Sequence, residues 1–137
     1  MSREIKFRGK SSVTNEWVYG SPVKVCNESH IIGFDEVDLD GHHIVFYSDR
    51  PVFTKQGTIC QFTGRHDKNG KEIYEGDILK HINGNHTCQV LFSERSASYI
   101  LVFVTPAKPA YDMGIYDVER CFEVIGNIYD NKELLEE

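Results

Sequence analysis

No stretch of ten residues in this chain keeps a 3.6-residue apolar period, while short runs rich in Val, Ile, Phe and Tyr alternate with glycine-bearing turns throughout. A surface helix needs that period to bury one face, so the pattern predicts a mostly β protein, a sandwich or a barrel, with little helix. Residues 5–9 alternate apolar and basic, the period of a half-buried strand. Residues 17–20 and 23–25 follow as strands divided by Ser21-Pro22, then 30–34 and 43–47 around an acidic turn that ends in Asp40-Gly41. A further strand is expected at 58–62. Asn69-Gly70 and Asn83-Gly84 read as tight hairpin turns, because both positions of such a turn favour residues that accept positive φ. Residues 98–104 are almost continuously apolar, which predicts a central strand buried on both faces. Residues 121–129 form the last long strand. One helical turn is expected at 117–120 and a short terminal helix at 131–135, capped by Asp130 or Asn131.

A cluster of turn residues and a shift in composition between about residues 57 and 76 divide the chain into two β subdomains, 1–60 and 61–137. The longest apolar stretch, residues 99–104, is far short of the roughly 20 residues that a spanning helix needs. The N-terminus carries charges and no apolar core of a signal peptide, so the expected setting is cytoplasmic, with no membrane partner. Cys26, Cys60, Cys88 and Cys121 lack paired spacing and read as reduced, small apolar side chains.

The net charge of −6 is uneven: residues 25–49 hold six acids and no base. That balance disfavours a general phosphate-binding surface. The pattern 36–41 opens like a calcium loop, but its twelfth position is Tyr47 where a bidentate Glu is needed. His81 and His86 flank the Asn83-Gly84 turn, and Cys88 shares a strand face with His86. The trio offers fewer ligands than a structural zinc site has, and no metal site is assigned. There is no Gly-x-Ser-x-Gly elbow, Walker loop or dinucleotide fingerprint. No catalytic residue and no cofactor are assigned, and an enzyme is the least favoured class.

Three segments carry a resemblance. Residues 61–64, Gln-Phe-Thr-Gly, precede residues 67–78, Asp-Lys-Asn-Gly-Lys-Glu-Ile-Tyr-Glu-Gly-Asp-Ile. Residues 5–10 open the chain, with Trp17-Val18-Tyr19-Gly20 shortly after. Residues 124–129 close it, followed by Leu134-Leu135. In order and spacing these resemble the YopX family of phage and prophage proteins. The resemblance implies a C-terminal SH3-like barrel, opening near Gly76-Asp77 and closing near Tyr129, after an N-terminal β region. It implies no known activity. Gly64, Gly70, Gly76 and Gly126 are expected at turns or bulges, and Trp17 and Tyr74 in the core or between subdomains.

The favoured function is a non-enzymatic accessory module that binds a protein or copies of itself. Trp17, Val18 and Tyr19 are its expected interface anchors, since aromatics dominate interface energetics and uncovered strand edges invite pairing. The alternatives are a nucleic-acid-binding barrel, using Tyr99 and Phe103 with Lys80 and Arg95, and an acidic nucleic-acid mimic built on residues 25–49.

Overall fold

The computed structural model describes residues 4–25, 28–32, 34–39, 42–47, 52–84, 86–105, 108–113 and 117–136; at 24–25, 28–29, 34–39 and 42–47 the description is of the backbone. The chain is mostly β, and it divides into two compact units, Glu4–Gln61 and Phe62–Glu137.

In the first unit, β1 (Phe7–Lys10), β2 (Trp17–Val25) and β3 (Glu28–Ile32) are successive antiparallel strands. β4 (Phe34–Leu39) and β5 (His42–Tyr47) form a separate two-stranded ribbon, in register from Phe34 opposite Tyr47 to Leu39 opposite His42. Residues 36–39 are therefore paired strand, not a cation loop, and Asp40-Gly41 lie outside the described residues, as does Cys26. The run 30–34, expected as one strand, divides between β3 and β4.

β2 runs straight through Ser21-Pro22, where a break was expected. The reason lies across the ladder. Ile31 exchanges both of its backbone bonds with Val52, at 3.3 and 2.7 Å. Its N–H and C=O therefore point away from β2, and the pair it makes with Pro22 is a non-hydrogen-bonded one. The Pro22 nitrogen then faces the other edge, which β1 has already left at Phe7 opposite Gly20. A proline there forfeits no bond.

The second unit holds most of β6 (Cys60–His66), β7 (Glu72–Tyr74), β8 (Asp77–His81), β9 (Thr87–Ser93), β10 (Ser98–Thr105), β11 (Tyr111–Asp112) and β12 (Phe122–Asn127). The last five form an antiparallel sheet ordered β11-β10-β9-β8-β12, so the first and last of them are neighbours. Among the described residues no pairing joins β11 to β12, and the sheet is open. Alternation fixes its inner face: Leu79, Cys88, Val90, Leu101, Phe103 and Phe122 are buried together, with Ile73, Met113 and Val118. The single turn α1 (Val118–Cys121) leads into β12. Its Glu119 takes two bonds from Arg65 of β6, at 2.6 and 2.8 Å.

The turn at 67–71 closes β6 onto β7 and braces β12. Asp67 is 3% exposed. Its Oδ1 accepts the N–H groups of Asn69 and Lys71, at 2.8 and 2.9 Å, and its Oδ2 accepts that of Val124, at 2.9 Å. Burial alone would raise its pKa. The bonds from Val124, Lys71 and Asn69, with the Lys71 charge, more than offset that, and the pKa lies below the ordinary value. Lys68 N–H also donates to Phe122 O, so the turn satisfies the outer edge of β12.

This turn is not the two-residue primed hairpin expected from Asn69-Gly70. Gly70 alone has positive φ, +81°, Gly70 N–H donates to Asp67 O, and Asp67 N–H donates to Lys71 O. It is a type I turn followed by a left-handed glycine, the three-residue alternative. Nothing lies within 4 Å of a Cβ built on Gly70, so its requirement is conformational. Gly70→Val should cost about 1–2 kcal/mol, because a β-branched residue resists that φ. Lys68→Ala should cost about 0.5 kcal/mol or less, since its ion pair with Glu123 is at 3.8 Å and partly exposed. Urea unfolding of both variants measures the difference, and equal stabilities would contradict the assignment.

Candidate binding face

The outer face of the second sheet is built from the residues between the buried ones. Ile100 lies opposite Leu91 and Val102 opposite Gln89, with Val104 further along β10. Ile78 and Lys80 of β8 and Asp112 of β11 share that face by register. An antiparallel sheet with one face in water normally alternates apolar with polar. β10 does not: it is apolar on both sides. Leu101 and Phe103 are buried inward, while Ile100, Val102 and Val104 are only partly buried.

The C-terminal tail packs against this face at β9. Beyond β12 the chain turns back on an asparagine knot. Asn127 Oδ1 accepts the N–H groups of Tyr129 and Asp130, at 3.0 and 2.9 Å, and Asn131 Oδ1 accepts that of Asn127, at 3.2 Å. Asn131, one of the two expected caps, holds the N-cap position of the 3-10 turn Lys132–Leu135, but its side chain reaches back to Asn127 and makes no cap bond. A Cβ on Gly126 would lie 2.6 Å from Asn131 Oδ1, so glycine is required by space there and not by φ. The 3-10 turn packs against β9, and Ile78 of the same sheet face is fully buried. Leu91, Ile100, Val102 and Val104 on that face are partly buried.

Two open depressions lie along the outer side of β9 and β10. One, of about 560 Å³, lies at the tail and is lined by Gln89, Ile128, Tyr129, Lys132, Leu135 and Glu136. The other, of about 570 Å³, lies towards β11 and is lined by Ser93, Arg95, Ser96, Ile100, Ala110 and Asp112. Ser98 Oγ donates to Asp112 Oδ2 at 2.8 Å in the second region. Arg95, Lys132 and Glu136 make no ion pair among the described residues.

The residues singled out from sequence are distributed differently. Trp17 is half-buried, with the Arg8 guanidinium 4.3 Å and the Lys10 ammonium 5.1 Å from its ring; Val18 is half-buried, and Tyr19 is exposed. The four groups named for nucleic-acid binding do not share a surface. Phe103 is in the core and Tyr99 packs against it, whereas Lys80 is on the outer face opposite Glu123. Tyr74 is buried, and Cys60 and Cys88 are buried free thiols, with burial pushing the Cys88 thiol up to about 12. Continuous apolarity at 98–104 predicts burial on both faces; Leu101 and Phe103 are buried, whereas Ile100, Val102 and Val104 on the other face are only partly so.

His81 and His86 are core-rim residues. Their rings stand edge to face 6.0 Å apart, His81 against Phe122 and His86 against Phe103. His81 Nδ1 accepts the N–H of Asn83 at 3.2 Å, and Lys108 Nζ sits 3.5 Å from His86 Nε2. His86 Nδ1 is buried and has no hydrogen-bond partner among the described residues, and the third donor, Cys88, is a core thiol held protonated. Among the described residues no three His, Cys, Asp or Glu side chains form a metal-holding group.

The family model described as YopX protein matches residues 6–136. The chain belongs to the YopX family. Protein EF1440 from Enterococcus faecalis, known as a crystal structure, is similar to this YopX-family chain at 26% identity and a TM-score of 0.59, over 98% of this chain and 100% of that one. No curated protein matches the sequence.

Two outcomes follow from the histidine rim. About three equivalents of Zn²⁺ should leave the melting temperature unchanged, since two imidazoles and a protonated thiol fall short of a structural site, and a rise of several degrees would show that the rim holds the metal. The pKa of His86 lies below 6.5, from desolvation first, then the charges of Lys108 and His81. A depressed folded pKa means that its contribution is complete above about pH 6.5 and is lost as the pH falls towards the folded value. His86→Gln should therefore shrink the fall in melting temperature between about pH 7.5 and pH 5.5. An unchanged fall would show that His86 is not the group responsible.

Proposed function

We propose that this chain is a non-enzymatic protein-binding module whose docking face is the partly exposed outer surface of β9 and β10. One observation carries the reading: Leu91, Ile100, Val102 and Val104 form an apolar row on the side of the sheet facing away from its core. Rows of this kind on a small antiparallel sheet are characteristic of surfaces that another chain covers. The second unit is read as an opened SH3-like roll, supported by the neighbouring first and last strands and by the helical turn before the last. The two units are read as subdomains of an accessory protein of phage or prophage origin, working in the bacterial cytoplasm. That part rests on the family alone. Tyr19 is a secondary contact on the first unit. Nucleic acid is the weaker reading, because the aromatics of β10 point into the core and the chain is acidic.

The test places a photoreactive benzophenone side chain at Val102 of the full chain in bacterial cells, and at exposed Lys68 as a control. The expected outcome is a protein adduct from position 102 and none above background from position 68. Absence of an adduct at 102 would overturn the docking face.

A further inference from the structure

We infer that Asn83 is a self-modifying site: its side-chain amide is lost to attack by the backbone nitrogen of Gly84, promoted by the Lys80 ammonium, at the tip of the hairpin that joins β8 to β9. Water is the only other reactant. The Gly84 nitrogen gives its proton to water or hydroxide and bonds to Asn83 Cγ. The bond from Cγ to the side-chain nitrogen breaks, and ammonia leaves. Water then opens the cyclic imide at either carbonyl, which leaves aspartate or isoaspartate where the asparagine stood.

The chain holds this dipeptide at Asn69-Gly70 and at Asn83-Gly84, each with its glycine at positive φ, +81° and +73°. Glycine has no Cβ to obstruct the approach, so by sequence the two are equal. The structure separates them. Ring closure requires the glycine N–H to leave its hydrogen bond, and the cost of that opening is set by the turn. At Asn69-Gly70 the N–H groups on either side of Gly70, from Asn69 and Lys71, are held by the buried Asp67 carboxylate at 2.8 and 2.9 Å, and Gly70 N–H donates to Asp67 O at 3.0 Å. Opening that turn takes bonds from a buried charge. At Asn83-Gly84 both residues are exposed and the bonds are to neutral acceptors: Gly84 N–H donates to His81 O at 2.8 Å and Asn83 N–H to His81 Nδ1 at 3.2 Å.

Charge acts in the same direction. The attacking nitrogen is an amide anion, and the attack turns the side-chain carbonyl oxygen into an oxyanion. The Asp67 carboxylate opposes that charge at Gly70. Lys80 favours it at Gly84: its Cε lies 3.8 Å from where a Cβ on Gly84 would stand, and it has no ion pair among the described residues. A unit charge a few ångströms away in water changes a rate about fivefold. The product carboxylate then sits beside Lys80, and isoaspartate adds a methylene to the backbone of the turn, so the modification marks the age of the chain at the hairpin end that carries His81 and His86.

Incubation of the full folded chain at mildly alkaline pH, followed by peptide mapping by mass, tests this. Residue 83 should lose its amide at least about tenfold faster than residue 69, with ammonia released in step. In strong urea, where both turns are lost, the two rates should agree within about twofold. Lys80→Gln should slow residue 83 about fivefold and leave residue 69 unchanged, and the rate at 69 reports that the fold is intact. Equal rates at the two positions in the folded chain, a residue 83 that keeps its amide, or a Lys80→Gln chain that reacts at residue 83 as fast as the original would each overturn the inference.

Discussion

The carboxylate of Asp67 accepts backbone N–H groups from three places: two within its own turn, at Asn69 and Lys71, and one across the chain, at Val124 of β12. With the bond from Lys68 N–H to Phe122 O, the turn between β6 and β7 becomes the cover of the β12 edge. β12 in turn pairs with β8, the first strand of the sheet, and places Phe122 and Val124 against the core. A buried acid at this point does what an additional strand would do, through charge-assisted bonds that are individually stronger than neutral ones. The neighbouring turn of the motif repeats the device at smaller scale, where Asp77 Oδ2 accepts Tyr74 N–H at 2.8 Å.

Once β12 is fixed, the tail has one direction to go. Gly126 leaves the space that Asn131 fills, and Asn127 gathers the following amides, so the chain folds back and its 3-10 turn packs against β9. On the outer face of the sheet Ile78 is fully buried, while Leu91, Ile100, Val102 and Val104 are only partly so. The second unit therefore has one closed core and one face that is apolar and incompletely buried. That asymmetry is the basis of the functional proposal.

Much of this was legible in the sequence, and the exceptions share a cause. Strand positions, the turn at 117–120, the last helical turn and the glycine-rich punctuation follow from local pattern. Pro22 inside β2 does not, because its tolerance depends on Ile31 bonding Val52 on the far side of β3. The turn type at Asn69-Gly70 is decided by Asp67 and β12, not by the dipeptide. Asn131 has the residue type of a cap but is claimed by Asn127. In each case a specific partner decides what the local preference leaves open. The apolar run 98–104 was legible as a strand, and only the sheet's register tells which half of it faces away from the core.

The account makes the Asp67 carboxylate the fixed point of the second unit, and the most direct test is urea unfolding of Asp67→Asn at pH 7. The amide keeps the shape and one acceptor oxygen, but it removes the charge and turns an N–H donor towards a backbone donor. The predicted loss is about 2–4 kcal/mol, the range for leaving buried backbone donors without a charged acceptor. A loss below about 0.5 kcal/mol would contradict the account, because β12 would then be held by its pairing with β8 alone.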